Sequence, residues 1–367
     1  MRKLIDIGSD FSGVGAFDQA LRLLNIPYNT IFSCDMDKYA RESYIANYGE
    51  PKYYPENVYD RDIPKKSLDI YMTSPPCQGF SMAGNRGGSI LFHNSHEFIK
   101  KNKPRFFIFE NVKGLLSHER NSKDSKEIGK TFQTWINYLG GKSINGNPVI
   151  FPMEEAVHYH IYWTVLNTKN FGIPQNRERV FIVGIRDDED NVFSWPQEVP
   201  LIKKLKDVLQ DDVDEKYFLS DKMVEVLSKH KNKIIENKTP KESACNQATI
   251  VAMRGRGEEN KQQLEERKDG LTNSITTVQK DNLVITPTTS KGYEEVIQLN
   301  PSKESGGKQP YQQNRIYDKD GLSPALNANL STGGNMINTC RIRRLTPREC
   351  FRLQGFPDEF KFVAYRY

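Results

Sequence analysis

The sequence predicts an open α/β sheet of the nucleotide-binding kind, and three observations carry that prediction. A short apolar strand runs into the glycine-bearing turn Asp10-Phe11-Ser12-Gly13-Val14-Gly15 and then into a helical stretch. A second strand ends in the acidic tip Asp35-Met36-Asp37. A third apolar run, Leu68 to Ser74, delivers Pro75-Pro76-Cys77-Gln78-Gly79 at its end. Open α/β sheets bind ligands where strands end and loops begin, so all three loci fall where a site is expected.

Taken in order, Lys3 to Ile7 reads as the first strand, and Asp18 to Leu24 has helical spacing with a stop at Pro27. Glycines in the intervening turn let a backbone approach a ligand closely. Tyr28 to Cys34 is the second strand, whose tip places Asp35 to accept hydrogen bonds from ribose hydroxyls. Met36 is then set against an adenine face. Asp37 caps a helix from Lys38 to Tyr48 that Gly49 ends. A third strand is expected within Tyr53 to Asp62, its tip near Asn57-Val58 or nearer Asp60.

Two prolines fix the backbone ahead of Cys77 and Gly79 allows a sharp turn after it, so the thiol is presented and not packed away. Met82 to Gly88, which includes Arg86, has the glycine-rich polar composition of a loop over an active site. A helix from about Phe92 to Lys101 follows. The buried strand Arg105 to Phe109 then delivers Glu110-Asn111-Val112, with the carboxylate placed for general-acid work directly behind four apolar residues.

The 367 residues suffice for one large α/β domain and a smaller one. Five scattered cysteines, Cys34, Cys77, Cys245, Cys340 and Cys350, suggest neither a disulfide framework nor a zinc site, and no metal is expected. No long uncharged apolar segment is present, so a cytoplasmic location is expected rather than a membrane or secreted one. A net charge of +5 permits a polyanionic partner without establishing one.

Together these motifs resemble the C5-cytosine DNA methyltransferases of bacterial and phage modification type. Phe11-x-Gly13-x-Gly15 is similar to their first motif, Pro75-Pro76-Cys77-Gln78 to their nucleophile loop, and Glu110-Asn111-Val112 to their acid motif. Gln175-Asn176-Arg177-Glu178-Arg179, followed by the strand Val180 to Gly184, resembles their Gln-x-Arg-x-Arg motif, and Arg344-Leu345-Thr346-Pro347-Arg348-Glu349 their ninth. The resemblance implies a class I S-adenosylmethionine-dependent methyltransferase fold, a Rossmann-like mixed sheet with helices on both faces, plus a smaller, mostly β target-recognition domain. It implies methyl transfer from S-adenosylmethionine, leaving S-adenosylhomocysteine, to C5 of a cytosine flipped out of duplex DNA, through a covalent bond from Cys77 to C6.

Residue by residue, it implies Cys77 as nucleophile, Glu110 as the acid at N3 and Arg179 at O2, with Gln78, Asn111 and Arg177 beside them. Phe11, Ser12, Gly13, Val14, Gly15, Asp35, Met36, Asn57, Val58, Pro75 and Leu91 are implied around the cofactor. Ser81 and Arg86, with Arg254, Arg256, Arg315 and Arg341, are candidates for DNA contact.

The expected boundaries are 1–186 for the catalytic and cofactor-binding domain, 187–340 for target recognition, where composition turns polar, and 341–367 for a return segment. Asp269 to Thr276 and Asp320 to Asn327 read as two copies of one turn-plus-strand unit. The family's last motif is not found, which leaves a chain cut short or a second polypeptide supplying it. Other expected partners are double-stranded DNA and a cognate restriction endonuclease, with the protein otherwise a monomer. Two readings stay open beside the first: a catalytically impaired DNA-binding relative, and an RNA cytosine-C5 methyltransferase of the same fold.

Overall fold

The protein was analysed as a computed structural model that describes residues 4–76, 87–120, 127–220, 249–255, 262–267, 271–274, 283–287 and 340–363. The chain forms two compact units, Met1–Leu201 with Gly355–Tyr367, and Ile202–Gln354.

The first unit is built on an eight-stranded mixed sheet. Its elements in chain order are β1 (Ile5–Asp10), α1 (Ala16–Leu23), β2 (Tyr28–Cys34), α2 (Lys38–Tyr48), β3 (Ile70–Thr73), α3 (Gly87–Asn102), β4 (Phe106–Val112), α4 (Lys130–Leu139), β5 (Ser143–Ile144), β6 (Asn147–Pro148), β7 (Tyr159–Asn167), β8 (Gln175–Asn176) and β9 (Glu178–Arg186). Strand order in the sheet is β2-β1-β3-β4-β9-β7-β5-β6. The first four strands run parallel, while β9 is antiparallel to both β4 and β7. The chain steps outward from β1 to β2 and then back across to β3, which makes the ends of β1 and β3 a topological switch point.

Periodicity explains the layering. On β4 and β9, Phe107, Phe109, Val180 and Ile182 point to one face, where they meet Phe92, Phe98 and Ile99 of α3 and Phe132, Trp135, Ile136 and Leu139 of α4. Phe92 stacks on Trp135 with ring centroids 4.3 Å apart. Each such ring contributes about 1.5–3 kcal/mol through burial. The opposite face is covered less completely. Ile7 and Met72 are buried with Leu21 of α1, but the cross-strand pairs Ile108 with Val183 and Glu110 with Phe181 are only half-buried.

Four elements differ from the sequence expectation, one of them helix α3, which opens at Gly87 and not near Phe92, within the stretch expected as loop. The first strand runs to Asp10, not Ile7, because Gly8, Ser9 and Asp10 pair on both sides, with Phe32, Ser33 and Cys34 and with Tyr71, Met72 and Thr73. The expected strand within Tyr53 to Asp62 does not form. Ser33 and Asp35 donate their amides to the Tyr53 and Pro55 carbonyls at 3.2 and 3.3 Å, but Pro55 has no N–H to return, so no ladder follows. The strand expected to end at Phe109 continues to Val112, paired throughout with β9.

In the second unit, β10 (Thr249–Gly255), β11 (Gln262–Glu266), β13 (Leu283–Pro287) and β14 (Cys340–Arg344) form an antiparallel sheet in the order β11-β10-β13-β14, with β12 (Thr272–Asn273) between β11 and β13 in the chain. The helix α5 (Pro347–Arg352) starts with a capping box, in which Thr346 accepts the Glu349 amide and Glu349 accepts that of Thr346. Buried Arg343 grips Glu349 with two bonds, at 2.7 and 2.8 Å. Of the two expected repeats, only Leu271 to Ser274 falls within the described residues. No described helix is long and apolar enough to cross a membrane.

Candidate active site

The turn after β1 holds its shape by backbone strain and by hydrogen bonds to the end of β2. Phe11 has φ 56°, a left-handed conformation rare for a bulky residue and characteristic of functional sites. The Ser12 amide donates to the Cys34 carbonyl at 3.0 Å, and the Gly13 amide to Asp35 Oδ2 at 2.7 Å. Gly15 caps α1 at φ 86°, where a Cβ would lie 2.3 Å from the Tyr48 ring, so only glycine fits. Asp35 Oδ1 accepts the Asp37 amide at 2.9 Å, and Asp37 in turn caps α2 through the Ala40 amide. Each carboxylate oxygen of Asp35 keeps a lone pair for a further donor.

The residues expected around the cofactor gather at this end of the sheet in different states. Met36 is 82% exposed, while Phe11, Gly13, Val14, Asp35 and Leu91 are half-buried and Ser12, Gly15 and Pro75 buried. Asn57 is exposed and folds an Asx turn onto the Tyr59 amide at 3.0 Å. Val58 points the other way, into the main core. The exposed Met36 beside the glycine turn, with the Ser12 hydroxyl buried behind it, fits a nucleoside-bearing ligand.

A second group lies at the ends of β4 and β9. Because β9 returns antiparallel with Val112 opposite Arg179, Arg179 is delivered onto the Glu110 side of the sheet. Its Nε lies 3.0 Å from Glu110 Oε1, and Arg177 Nη2 lies 3.7 Å from the same oxygen. Burial, and then Arg179, push the Arg177 guanidinium below its ordinary range. On the other face of β4, buried Asn111 donates from Nδ2 to the Pro75 carbonyl at 2.9 Å while its Oδ1 accepts the Val112 amide. Strand β4 thus holds the segment that leads to Cys77. The Gln175 side chain is fully buried, with neither amide atom bonded.

Cys77, Gln78, Ser81, Arg86, Arg256 and Arg315 lie outside the described residues. Arg254 and Arg341 occupy β10 and β14, in register with Gln263 and Thr286.

Sequence reasoning missed two arginines behind the turn after β1. Arg41 of α2 donates to the carbonyls of Asp35, Pro55 and Tyr54 at 3.2, 3.1 and 2.8 Å and stacks on the Tyr54 ring at 4.0 Å. Arg61 forms a buried pair with Asp10, Nε to Oδ1 2.8 Å. Neither stands in a motif, so no local signal marks them.

Comparison with known proteins identifies the family. A model of the C-5 cytosine-specific DNA methylase family matches residues 5–366. The orphan methyltransferase M.SPRI of Bacillus phage SPR is 30% identical over 95% of this chain and 88% of its own length. The type II methyltransferase M.HpaII of Haemophilus parainfluenzae is 31% identical over 95% of this chain and 79% of its own. Among solved structures, the Entamoeba histolytica methyltransferase EhMeth superposes with a TM-score of 0.57 at 16% identity, covering 100% of this chain and 90% of its own, a likeness of fold. The chain therefore belongs to the C-5 cytosine-specific DNA methylase family, and it is a DNA (cytosine-5-)-methyltransferase that uses S-adenosylmethionine.

Proposed function

We propose that Cys77, Glu110 and Arg179 carry the chemistry. Cytosine C5 is too weak a nucleophile to accept a methyl group unaided, so the ring is first made electron-rich by addition of the Cys77 thiolate to C6. As that bond forms, charge moves toward N3 and O2. Glu110 is the proton donor at N3 as that charge develops, and Arg179 holds O2 with Arg177 behind it. The bound cofactor supplies an electrophilic methyl group at C5. Removal of the C5 proton then expels Cys77 and restores the aromatic ring.

The turn Phe11 to Gly15, with Asp35, Met36, Asn57, the backbone at Val58, Pro75 and Leu91, orients the cofactor. None of the reacting atoms is reachable in a stacked duplex, so the cytosine is flipped out, at a cost of a few kcal/mol. The observation that carries this reading is the convergence of Arg179 and Arg177 on Glu110 at 3.0 and 3.7 Å, on a strand whose next residue, Asn111, holds the carbonyl of Pro75. Transfer of labelled methyl groups to duplex DNA by the parent and by Cys77→Ser tests it. A serine variant as active as the parent refutes it.

The second unit reads the target sequence, with Arg254, Arg256, Arg315 and Arg341 as contact residues and Ser81 and Arg86 in the loop that closes on the flipped base. The protein acts in the cytoplasm as a monomer in a restriction-modification setting, where a cognate endonuclease is its functional counterpart. The half-buried pair Ile108 with Val183 supports packing of a further segment on that face of the sheet, on this chain or a second polypeptide.

A further inference from the structure

Arg61 lies in the irregular segment between α2 and β3, yet its side chain is 2% exposed. Its Nε bonds Asp10 Oδ1 at 2.8 Å, its Nη2 bonds Asn94 Oδ1 at 2.8 Å, and its guanidinium lies 4.5 Å from the centre of the Phe98 ring. The Asp10 carboxylate is wholly buried and takes a second bond from the Tyr71 hydroxyl at 2.5 Å. Asn94 continues the chain of bonds, donating to the Val58 carbonyl at 3.2 Å.

Two features set this network apart from ordinary core stabilisation. A buried ion pair contributes little net stability over an apolar pair of the same volume, because desolvation offsets the attraction. Its effect is directional, since it fixes where its partners stand. Both bonded partners of Arg61 adjoin residues assigned to the cofactor site: Asp10 immediately precedes Phe11, and Asn94 stands three positions along α3 from Leu91, on the same helical face.

We propose that Arg61 is a positioning residue for S-adenosylmethionine binding, which holds the turn after β1, the loop at Val58 and helix α3 in one register through Asp10 and Asn94. The proposal rests on the cofactor-site assignment above. α3 also opens directly after the nucleophile loop, so the same bonds tie the cofactor turn to the element that anchors the far end of that loop.

The test is isothermal titration of the 367-residue chain with S-adenosylmethionine, alongside steady-state methylation of duplex DNA. The variant Asp10→Asn/Arg61→Met removes both charges together and leaves Tyr71 an acceptor. It is expected to melt close to the parent, while its Kd and KM for the cofactor rise by about tenfold or more and kcat at saturating cofactor changes by less than about twofold. Arg61→Lys, which can keep one of the two bonds, is expected to fall between. A folded double variant with the parent's Kd overturns the proposal. Should the double variant not fold, Asn94→Ala decides, because it cuts the link to α3 and leaves the ion pair. A rise of about threefold or more is then expected, and an unchanged Kd overturns the proposal. Asp35→Ala serves as the control. If it too leaves Kd unchanged, the cofactor-site assignment fails rather than the role of Arg61.

Discussion

Asn111 Nδ2 donates to the Pro75 carbonyl at 2.9 Å, both residues buried, and so ties the end of β4 to the segment that leads to Cys77. Removing a buried bond of this kind costs about 1–3 kcal/mol. With Cys77 as the proposed nucleophile, Asn111→Ala is accordingly predicted to lower kcat by about 10- to 100-fold with a much smaller change in KM for DNA, because the bond bears on the segment leading to that residue and not on how the duplex is held. Equal losses in kcat and in DNA affinity, measured by steady-state kinetics and filter binding, contradict this.

Glu110→Gln keeps the shape of the side chain and removes its acid. The loss of a positioned general acid is predicted to lower kcat by about 10²- to 10⁴-fold. Arg179→Ala, which removes the cation 3.0 Å from Glu110, is predicted to cost about 10²- to 10³-fold. Because both act on the same ring, the double variant is expected to lose much less than the product of the two. A fully multiplicative loss shows that they act independently.

Asp18 offers a pH signature unconnected with catalysis. Burial raises its carboxyl from 3.8 to about 6, although the Tyr44 hydroxyl donates to it at 2.8 Å. The folded state therefore binds the proton more tightly than the unfolded chain, and stability is fully present below about pH 4 and is lost as pH rises through about 6. Asp18→Asn still accepts from Tyr44 but does not ionise. It is predicted to gain stability over the parent as pH rises from 4 to 7, by at most about 3 kcal/mol, and to hold a constant margin above that. Urea unfolding at several pH values measures this margin, and one independent of pH contradicts the assignment.

In the second unit, Arg343 and Glu349 are almost completely buried and bidentate, and Glu349 also caps α5 and accepts the Gln210 amide at 2.8 Å. Arg343→Met leaves a buried carboxylate unpaired and is predicted to destabilise that unit by about 3–5 kcal/mol. Methyl transfer measured below the melting transition, at raised DNA concentration, is expected to persist. Unchanged thermal melting contradicts the prediction.

Parts of this architecture are legible in the chain because chemistry marks both ends of an element. Helix α2 is bounded by the Asp37 cap and Gly49, and the structure starts and stops it there. Strand β1 is longer than its apolar residues indicate, since Gly8, Ser9 and Asp10 carry no apolar side chain and are held by neighbours on both sides. The segment from Tyr53 to Asp62 offers only Tyr53, Tyr54, Val58 and Tyr59 as strand formers, and Pro55 among them prevents a ladder. In the site, Glu110 is readable from its strand, but its meeting with Arg177 and Arg179 depends on the antiparallel return of β9, which only the family resemblance anticipates. Arg61 and Asp10 are 51 positions apart, and no local pattern links them.

The most direct test of the central claim is covalent capture. Bisulfite sequencing of methylated DNA identifies the target cytosine, and a duplex carrying 5-fluorocytosine at that position is then incubated with the protein and S-adenosylmethionine. Fluorine cannot leave as a proton does, so thiol addition and methyl transfer end in a stable adduct. A denaturation-resistant protein–DNA complex is predicted for the parent and none for Cys77→Ser. Methylation of ordinary DNA by a parent protein that gives no such complex contradicts the claim.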